Sequence, residues 1–322
     1  MRYVVVGAGA VGGVIGARLH AAGRDVVLVA RGDHLKAIQA DGLHLHTPDG
    51  LEVLDVPAVG HVGEADLQPV DVVVVAVKSQ QTSAVTEALA AVAPPEIAVV
   101  CAQNGVSNER IALRRFRHVY GLCVLLPSQH QTPGEVVQQS TPVPGVLDVG
   151  RYPSGADDRS LAVSADLRAA GFESEVDDAV MGRKYRKLLS NLSNALDALC
   201  GHAARTSDLA KGAEEEGLAC LRAAGIPLQS ETDERARRGL TIIRPVDGQA
   251  RGGSSSWQSL ARGAGSIEAD WLNGEIVLLG RLHGVPTPIN ELLQTTANRA
   301  AMEGWTPGAM VLDDLRRQLG HP

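Results

Sequence analysis

The chain has 322 residues, of which 44% are hydrophobic and 21% charged, and its formal net charge is -7. The length suggests about two domains, each able to bury its own core, and the apolar and charged fractions exclude a disordered chain. The negative balance argues against a nucleic-acid partner held by bulk electrostatics. Of the 30 basic residues only Lys36, Lys78, Lys184, Lys187 and Lys211 are lysines. Cys101, Cys123, Cys200 and Cys220 show neither a CxxC pair nor metal-ligand spacing. They read as buried small hydrophobes in a reducing compartment, and no metal is expected. The longest strictly apolar runs, such as residues 72–77, fall far short of the roughly 18 residues a membrane span needs. Met1-Arg2 leads straight into an apolar run and a glycine turn, which leaves no room for a signal peptide. The expectation is a soluble, cytoplasmic protein with no membrane partner.

Up to about residue 175, short β-branched runs alternate with helical patterns. Residues 3–6, 25–30, 71–77 and 97–102 are rich in Val and Ile and bounded by turn signals, as strands buried on both faces should be. Helical patterns lie between them at 10–22, 79–92 and 107–116. The alternation predicts βαβ units and a parallel sheet. Residues 43–56, with Pro48-Asp49-Gly50, read as a hairpin, as does the region 119–149. After about residue 177 strand-like runs give way to helical patterns at 179–200, 209–224, 267–283 and 289–301. A glycine- and serine-rich stretch, 247–266, reads as a flexible linker, although Trp257 and Leu260 suggest that part of it packs. The expected division is 1–176, an α/β dinucleotide-binding domain, and 177–322, a mainly α-helical domain.

Gly7-Ala8-Gly9-Ala10-Val11-Gly12 matches G-x-G-x-x-G, directly after a strand and opening a helix. The first glycine allows a tight turn, the second lets a pyrophosphate approach the backbone, and the third lets helix and strand pack closely. The helix N-terminus then faces the phosphate charge. The second strand ends not in the acidic residue of an NAD site but in Arg31, whose planar fork suits a 2′-phosphate. NADP(H) is the expected cofactor.

In the second half, Lys187 and Asn191 share a helix face, with Lys184 and Asn194 near the same stripe. Met181, Tyr185, Leu188, Leu192, Leu196 and Leu199 form the opposing apolar face. Any amphipathic surface helix shows that pattern, but asparagines in mid-helix run against propensity. Glu268 opens a predicted helix, where a carboxylate is stabilising in any case. Ten histidines offer a rival acid, but none is paired with a carboxylate in a recognisable motif.

Taken together these residues resemble the ketopantoate reductase (2-dehydropantoate 2-reductase) family along essentially the whole chain. The resemblance rests on Gly7–Gly13 with Arg31, on the strand end Val75-Ala76-Val77-Lys78, and on Asn104-Gly105 after the next strand. It continues through Lys187-Leu188 with Asn191, then Ser255-Ser256 ahead of Glu268-x-Asp270 and Asn273-Gly274. It implies a Rossmann-type domain followed by a helical domain of the 6-phosphogluconate-dehydrogenase-like kind. The implied activity is NADPH-dependent reduction of a small 2-oxo acid, ketopantoate to pantoate first among them, as in pantothenate and coenzyme A biosynthesis. By the same resemblance Lys187 is the proton donor to the carbonyl oxygen, Glu268 contacts cofactor or substrate hydroxyls, and Lys78 and Asn104 line the nicotinamide end. Asn104, Asn191, Asn194, Ser255 and Ser256 are the expected substrate contacts.

The chain departs from the family pattern in two places. Where the family's lysine helix carries a second asparagine, eight residues after the lysine, this chain has Ala195, and the asparagine falls one residue earlier at Asn194. On a continuous helix that is a rotation of about 100°. The serine pair is followed by Trp257 where the family commonly has methionine, which is expected to place a bulky ring near the pocket. Both changes keep another 2-oxo acid or small carbonyl compound open as substrate. A non-enzymatic NADP-binding regulator on the same fold is the other alternative. Lys184, three residues from Lys187, is the rival for the role of acid, and the apolar helical faces are compatible with a homodimer.

Overall fold

The computed structural model describes residues 1–320. By packing, the chain divides into two units: Met1–Lys184 with Ser230–Arg251, and Tyr185–Gln229 with the residues from Gly252 on.

The first unit opens with β1 (Arg2–Val6), α1 (Ala10–Ala21), β2 (Asp25–Val29) and α2 (Gly32–Asp41). The hairpin β3 (Leu43–Thr47) and β4 (Gly50–Leu54) follows, then β5 (Ala58–Val59), β6 (Val72–Val75), α3 (Thr82–Ala90), β7 (Ala98–Cys101) and α4 (Asn108–Leu113). The chain continues through β8 (His118–Leu125), β9 (Ser128–Gln129), β10 (Glu135–Gln138), β11 (Ser140–Pro142), β12 (Val146–Arg151) and α5 (Asp158–Ala169). Seven strands form the main sheet in the order β12-β8-β7-β6-β1-β2-β5. All its pairings are parallel except β12 with β8.

The central strands are all but fully buried, and their side chains sort onto two faces with period two. Tyr3, Val5, Val72, Val74, Ala98 and Val100 join one core with Val14, Ile15 and Leu19 of α1 and Val163 and Leu167 of α5. Val4, Val6, Val73, Val75, Val99 and Cys101 join the other, with Val85 and Leu89 of α3 and Ala112 of α4. This is why the sequence reads there as unbroken Val-rich runs rather than as an alternation. The expected hairpin at 43–56 is present, with β3 and β4 antiparallel. The region 119–149 is less simple than a hairpin: β8 and β12 pair antiparallel, but β9, β10 and β11 lie between them in sequence. Helix α2 was not expected, because only one of its ten residues is buried and it shows little apolar periodicity.

The helical half of the chain begins with α6 (Val180–Asn191), α7 (Asn194–Cys200) and α8 (Asp208–Ala223). A segment that belongs to the first unit follows, with α9 (Glu231–Arg238) and a strand the sequence did not announce, β13 (Thr241–Ile243). Strand β13 pairs antiparallel with β11. Arg237 of α9 ion-pairs with Asp148 of β12 and with Glu175. The packing therefore returns residues 230–251 to the first unit, whereas the expectation put everything after 176 in the second. The tie is made by side-chain charge and by a three-residue strand, neither of which carries a pattern.

The second unit is completed by α10 (Ser255–Ala261), α11 (Asn273–His283), α12 (Pro288–Met302) and α13 (Leu312–Gln318). Helix α12 starts with Pro at N1, and the Glu216 carboxylate accepts from the Ile289 and Asn290 backbone N–H groups at 2.9 and 3.0 Å. Part of the expected linker 247–266 is ordered as α10, which packs against α7 and buries Leu260. Among the described residues no helix is long and apolar enough to cross a membrane.

Candidate functional site

Within the first unit, the loops expected to hold the cofactor all lie at the carboxyl ends of parallel strands. Gly7–Gly12 follows β1, Arg31 follows β2, Lys78 follows β6 and Asn104 follows β7. Strand β1 lies between β2 and β6, so the chain winds in opposite directions on its two sides. Ligands of open α/β sheets bind at such a switch point.

The glycines fit a dinucleotide. Gly7 has φ +99°, and a Cβ there would lie 2.8 Å from Val77 Cγ1, so only glycine makes this turn. A Cβ on Gly12 would collide with the Gly7 carbonyl oxygen and lie 3.0 Å from Val5 Cγ1, so α1 meets β1 without a side chain between them. A Cβ on Gly9 would meet nothing closer than His130 Cδ2 at 3.9 Å. The middle glycine thus faces open space, which a pyrophosphate can approach at backbone distance. Ala8 is buried, while Ala10 and Val11, in the first turn of α1, are half-buried. Arg31 is the extended residue before α2, and its side chain is exposed.

Two groups that the sequence did not single out hold this region. His34 Nε2 lies 2.8 Å from the Ala8 carbonyl oxygen, and the Gly134 N–H donates to His34 Nδ1 at 2.9 Å. A carbonyl only accepts and an amide N–H only donates, so the ring is neutral with its proton on Nε2. Burial pushes its pKa down, against the raising effect of the Ala8 carbonyl. Its ring centroid is 4.2 Å from that of His130. The second group surrounds Asn104. Gln103 Nε2 donates to the Val77 carbonyl at 2.9 Å and to Thr82 Oγ1 at 2.7 Å. Asn108 Nδ2 donates to the Asn104 carbonyl at 2.9 Å, and Gly105 turns the chain at φ +76°. Lys78 precedes a 3-10 turn at Ser79–Gln81, and Lys78 and Asn104 are both half-buried. A signal for these residues existed: His34 stands one helical turn after Arg31, and Asn108 and Glu109 one turn after Asn104.

In the second unit, Lys187 and Asn191 are half-buried on α6, one turn apart. Leu188, Leu192, Leu196 and Leu199 are buried as expected, but so is Leu189, while Met181 and Tyr185 are only half-buried. The helix expected over 179–200 is broken at Leu192-Ser193. The break has a partner: Asn273 Nδ2 donates to the Leu192 carbonyl at 3.1 Å and to Asn290 Oδ1 at 3.0 Å. The 100° offset argued for Asn194 on a continuous helix therefore does not apply, because Asn194 opens a new helix. Its Oδ1 accepts from Arg205 Nη1 at 3.0 Å, and its side chain is buried.

Ser254, rather than the Ser255-Ser256 pair, caps α10, accepting from the Trp257 N–H, and its own N–H donates to Asp197 Oδ2 at 2.7 Å. Ser255 is half-buried and Ser256 buried in the first turn. The Trp257 ring lies over Gly252, where a Cβ would come within 2.6 Å of Trp257 Cζ3. The glycine pair before the serines thus makes room for the indole. Glu268 is buried at the first position of a 3-10 turn, Glu268–Trp271. The rival lysine, Lys184, belongs to the first unit, where it is buried and ion-paired with Glu109. The four cysteines are free thiols, Cys200 half-buried and the others buried. No group of three or more His, Cys, Asp or Glu among the described residues is arranged to hold a metal ion.

A doubly covered parallel sheet with a glycine cradle at its switch point, followed by a helical unit, defines a protein of the Rossmann-type fold. The family model described as "Ketopantoate reductase PanE/ApbA" matches residues 3–154, and its C-terminal counterpart matches residues 179–301. A 2-dehydropantoate 2-reductase of Archaeoglobus fulgidus is 30% identical over 301 residues, covering 91% of this chain and 95% of that protein. The crystal structure of a PanE/ApbA family ketopantoate reductase from Ralstonia eutropha JMP134 superposes with a TM-score of 0.80 at 30% identity, over 94% of this chain and 99% of that one. D-mandelate dehydrogenase in its ternary structure with NADH and anilino(oxo)acetate shares the fold, with a TM-score of 0.79 at 20% identity over 94% and 99% of the two chains. The chain belongs to the ketopantoate reductase PanE/ApbA family and is an oxidoreductase acting on a CH–OH group.

Proposed function

We propose that the protein reduces 2-dehydropantoate to pantoate with NADPH in the cytoplasm, the first unit binding the cofactor and the second chiefly the substrate. The observation that carries the reading is the cradle at Gly7–Gly12, open over Gly9, in a chain of this family. Arg31 supports NADPH over NADH: a guanidinium at the end of β2 pairs with a 2′-phosphate, where an NAD site presents a carboxylate to the ribose. When bound, the reduced nicotinamide supplies the hydride.

The chain's own residues do the rest. Reduction of a 2-oxo acid develops negative charge on the carbonyl oxygen beside a carboxylate. The Lys187 ammonium stabilises that charge and donates the proton to that oxygen. The neutral donors Asn191 and Ser256, with Asn104, Asn194 and Ser255, hold the substrate without competing for the proton. Glu268 contacts hydroxyl groups, and Lys78 lies with Asn104 at the nicotinamide end. Lys187 is favoured over Lys184 because it stands in the Lys-Leu-x-x-Asn pattern, whereas Lys184 is buried within the first unit against Glu109.

A second reading, reduction of a different 2-oxo acid, is favoured by Ala195, which is fully apolar and buried where the family carries an amide. Steady-state oxidation of NADPH with ketopantoate and a panel of 2-oxo acids tests both readings. Ketopantoate is expected to show the highest kcat/KM. A better panel member would establish the second reading, and tight NADPH binding without turnover of any member would leave only a regulator.

A further inference from the structure

Glu109 stands in the first turn of α4 and is fully buried, and its Oε1 is ion-paired with Lys184 Nζ; the two side chains are 0% and 2% exposed. The same Nζ donates to the Gln103 carbonyl at 3.0 Å. Glu109 Oε2 has no hydrogen-bond partner. Burying a pair of ions is expensive, and well-packed apolar residues of the same volume often serve stability as well or better. What Lys and Glu supply here that Met and Leu would not is an N–H donor fixed at one carbonyl.

That carbonyl sits at a sensitive point. Residues 102–107 connect β7 to α4 through the Asn104-Gly105 turn, and side chains hold the Gln103 and Asn104 carbonyls at its start. The Gln103 side-chain amide donates to the Val77 carbonyl, just past β6, and to Thr82 Oγ1 at the start of α3. Thr82 Oγ1 donates to Asn108 Oδ1 at 2.7 Å, and Asn108 Nδ2 holds the Asn104 carbonyl. The Gln103 carbonyl, one peptide before Asn104, is held by Lys184. We propose that Lys184, held in turn by Glu109, is a positioning residue that fixes the peptide before Asn104 and so aims the Asn104 side chain at the nicotinamide end of the cofactor site. The inference rests on the role given to Asn104 above.

Two double variants differ only in the donor at position 184. K184Q/E109Q keeps an N–H for the Gln103 carbonyl, whereas K184M/E109Q has none at that position. Both lack the buried charges, so both are expected to melt close to each other. A misplaced turn of about 1 Å is enough for a ~10²-fold rate loss. K184M/E109Q is therefore expected to show kcat lowered by about 10- to 100-fold with a nearly unchanged Kd for NADPH, and K184Q/E109Q to recover most of that loss. The emission of bound NADPH, which senses the surroundings of the nicotinamide, is expected to shift in K184M/E109Q and not in K184Q/E109Q. Equal kcat and equal emission in the two variants would overturn the inference and reduce the pair to a stability element. If K184M/E109Q does not fold, K184M/E109L takes its place, since an apolar pair removes the need for any partner. A wild-type protein that binds NADPH and reduces no 2-oxo acid would refute the proposed function instead, and the emission comparison would still decide this inference.

Discussion

The strand-end loops of the first unit and the α6–α7 helices of the second hold their candidate residues by different means. At the ends of β1, β2, β6 and β7 the site is made largely of backbone: glycines without Cβ atoms, a helix N-terminus, and loops brought side by side by strand order. On α6 and α7 the candidate residues are side chains, and their placement depends on partners distant in sequence, such as Asn273 at the helix break. A site of the first kind is damaged by adding atoms and one of the second by removing them.

The largest expected effect tests the second kind. Lys187→Ala should lower kcat by about 10²- to 10⁴-fold while leaving the Kd for NADPH nearly unchanged; steady-state kinetics with an equilibrium binding measurement checks both. An unaltered kcat would remove Lys187 from the chemistry. Next comes Arg31→Ala, which deletes a charge-assisted contact worth about 1.5–3 kcal/mol. NADPH should then bind roughly 10- to 150-fold more weakly and NADH about as before, so the ratio of the two dissociation constants is the measurement. If both cofactors weaken equally, Arg31 is not the 2′-phosphate group.

Asn273→Ala leaves the Leu192 carbonyl without its side-chain donor and Asn290 Oδ1 without a partner. The expected cost is about 1–3 kcal/mol per unsatisfied buried group, read as a lower midpoint in denaturant. Loss of kcat beyond the loss of folded protein would show that the helix break also aims Asn191. The smallest effect concerns His34. Its folded-state pKa is lowered, so its stabilising contribution is complete above its unfolded pKa of about 6.5. That contribution is lost as pH falls through the folded value, because the protonated ring cannot accept from Gly134. Wild type should therefore melt higher than His34→Gln at pH 8, with the gap closing at pH 5. A gap independent of pH would mean that the ring acts by packing alone.

How legible each region was in the sequence follows the same division. Val-rich runs and the G-x-G-x-x-G spacing encode strands buried on both faces and a backbone cradle, and both are local patterns. Helix α6 announced its apolar face only in part, since Leu188 is buried as the pattern asks but Met181 and Tyr185 are half-buried and Leu189 is buried outside it. Helix α2 and strand β13 did not announce themselves, being an exposed helix and a three-residue edge pairing. The break at Leu192-Ser193 was invisible because its cause, Asn273, lies 81 residues away. Lys184 shows the limit most plainly: on a helical wheel it lies near Lys187, and nothing in the local sequence announces its burial against Glu109, 75 residues earlier.

The return of residues 230–251 to the first unit bears on the order in which the protein is assembled. Asp148, 2% exposed, is paired with Arg183 and Arg237, and β11 finds its partner only at residues 241–243. A nascent chain that has reached residue 184 therefore still lacks the last pieces of its first unit. The missing segment ends 67 residues later, roughly 3–13 s of synthesis at ordinary elongation rates. During that interval only the Tyr185–Gln229 part of the second unit is made, while α10, α11 and α12, against which α7 and α8 pack, come later still. Synthesis thus interleaves the two units, and the first has all its elements only after part of the second has been made.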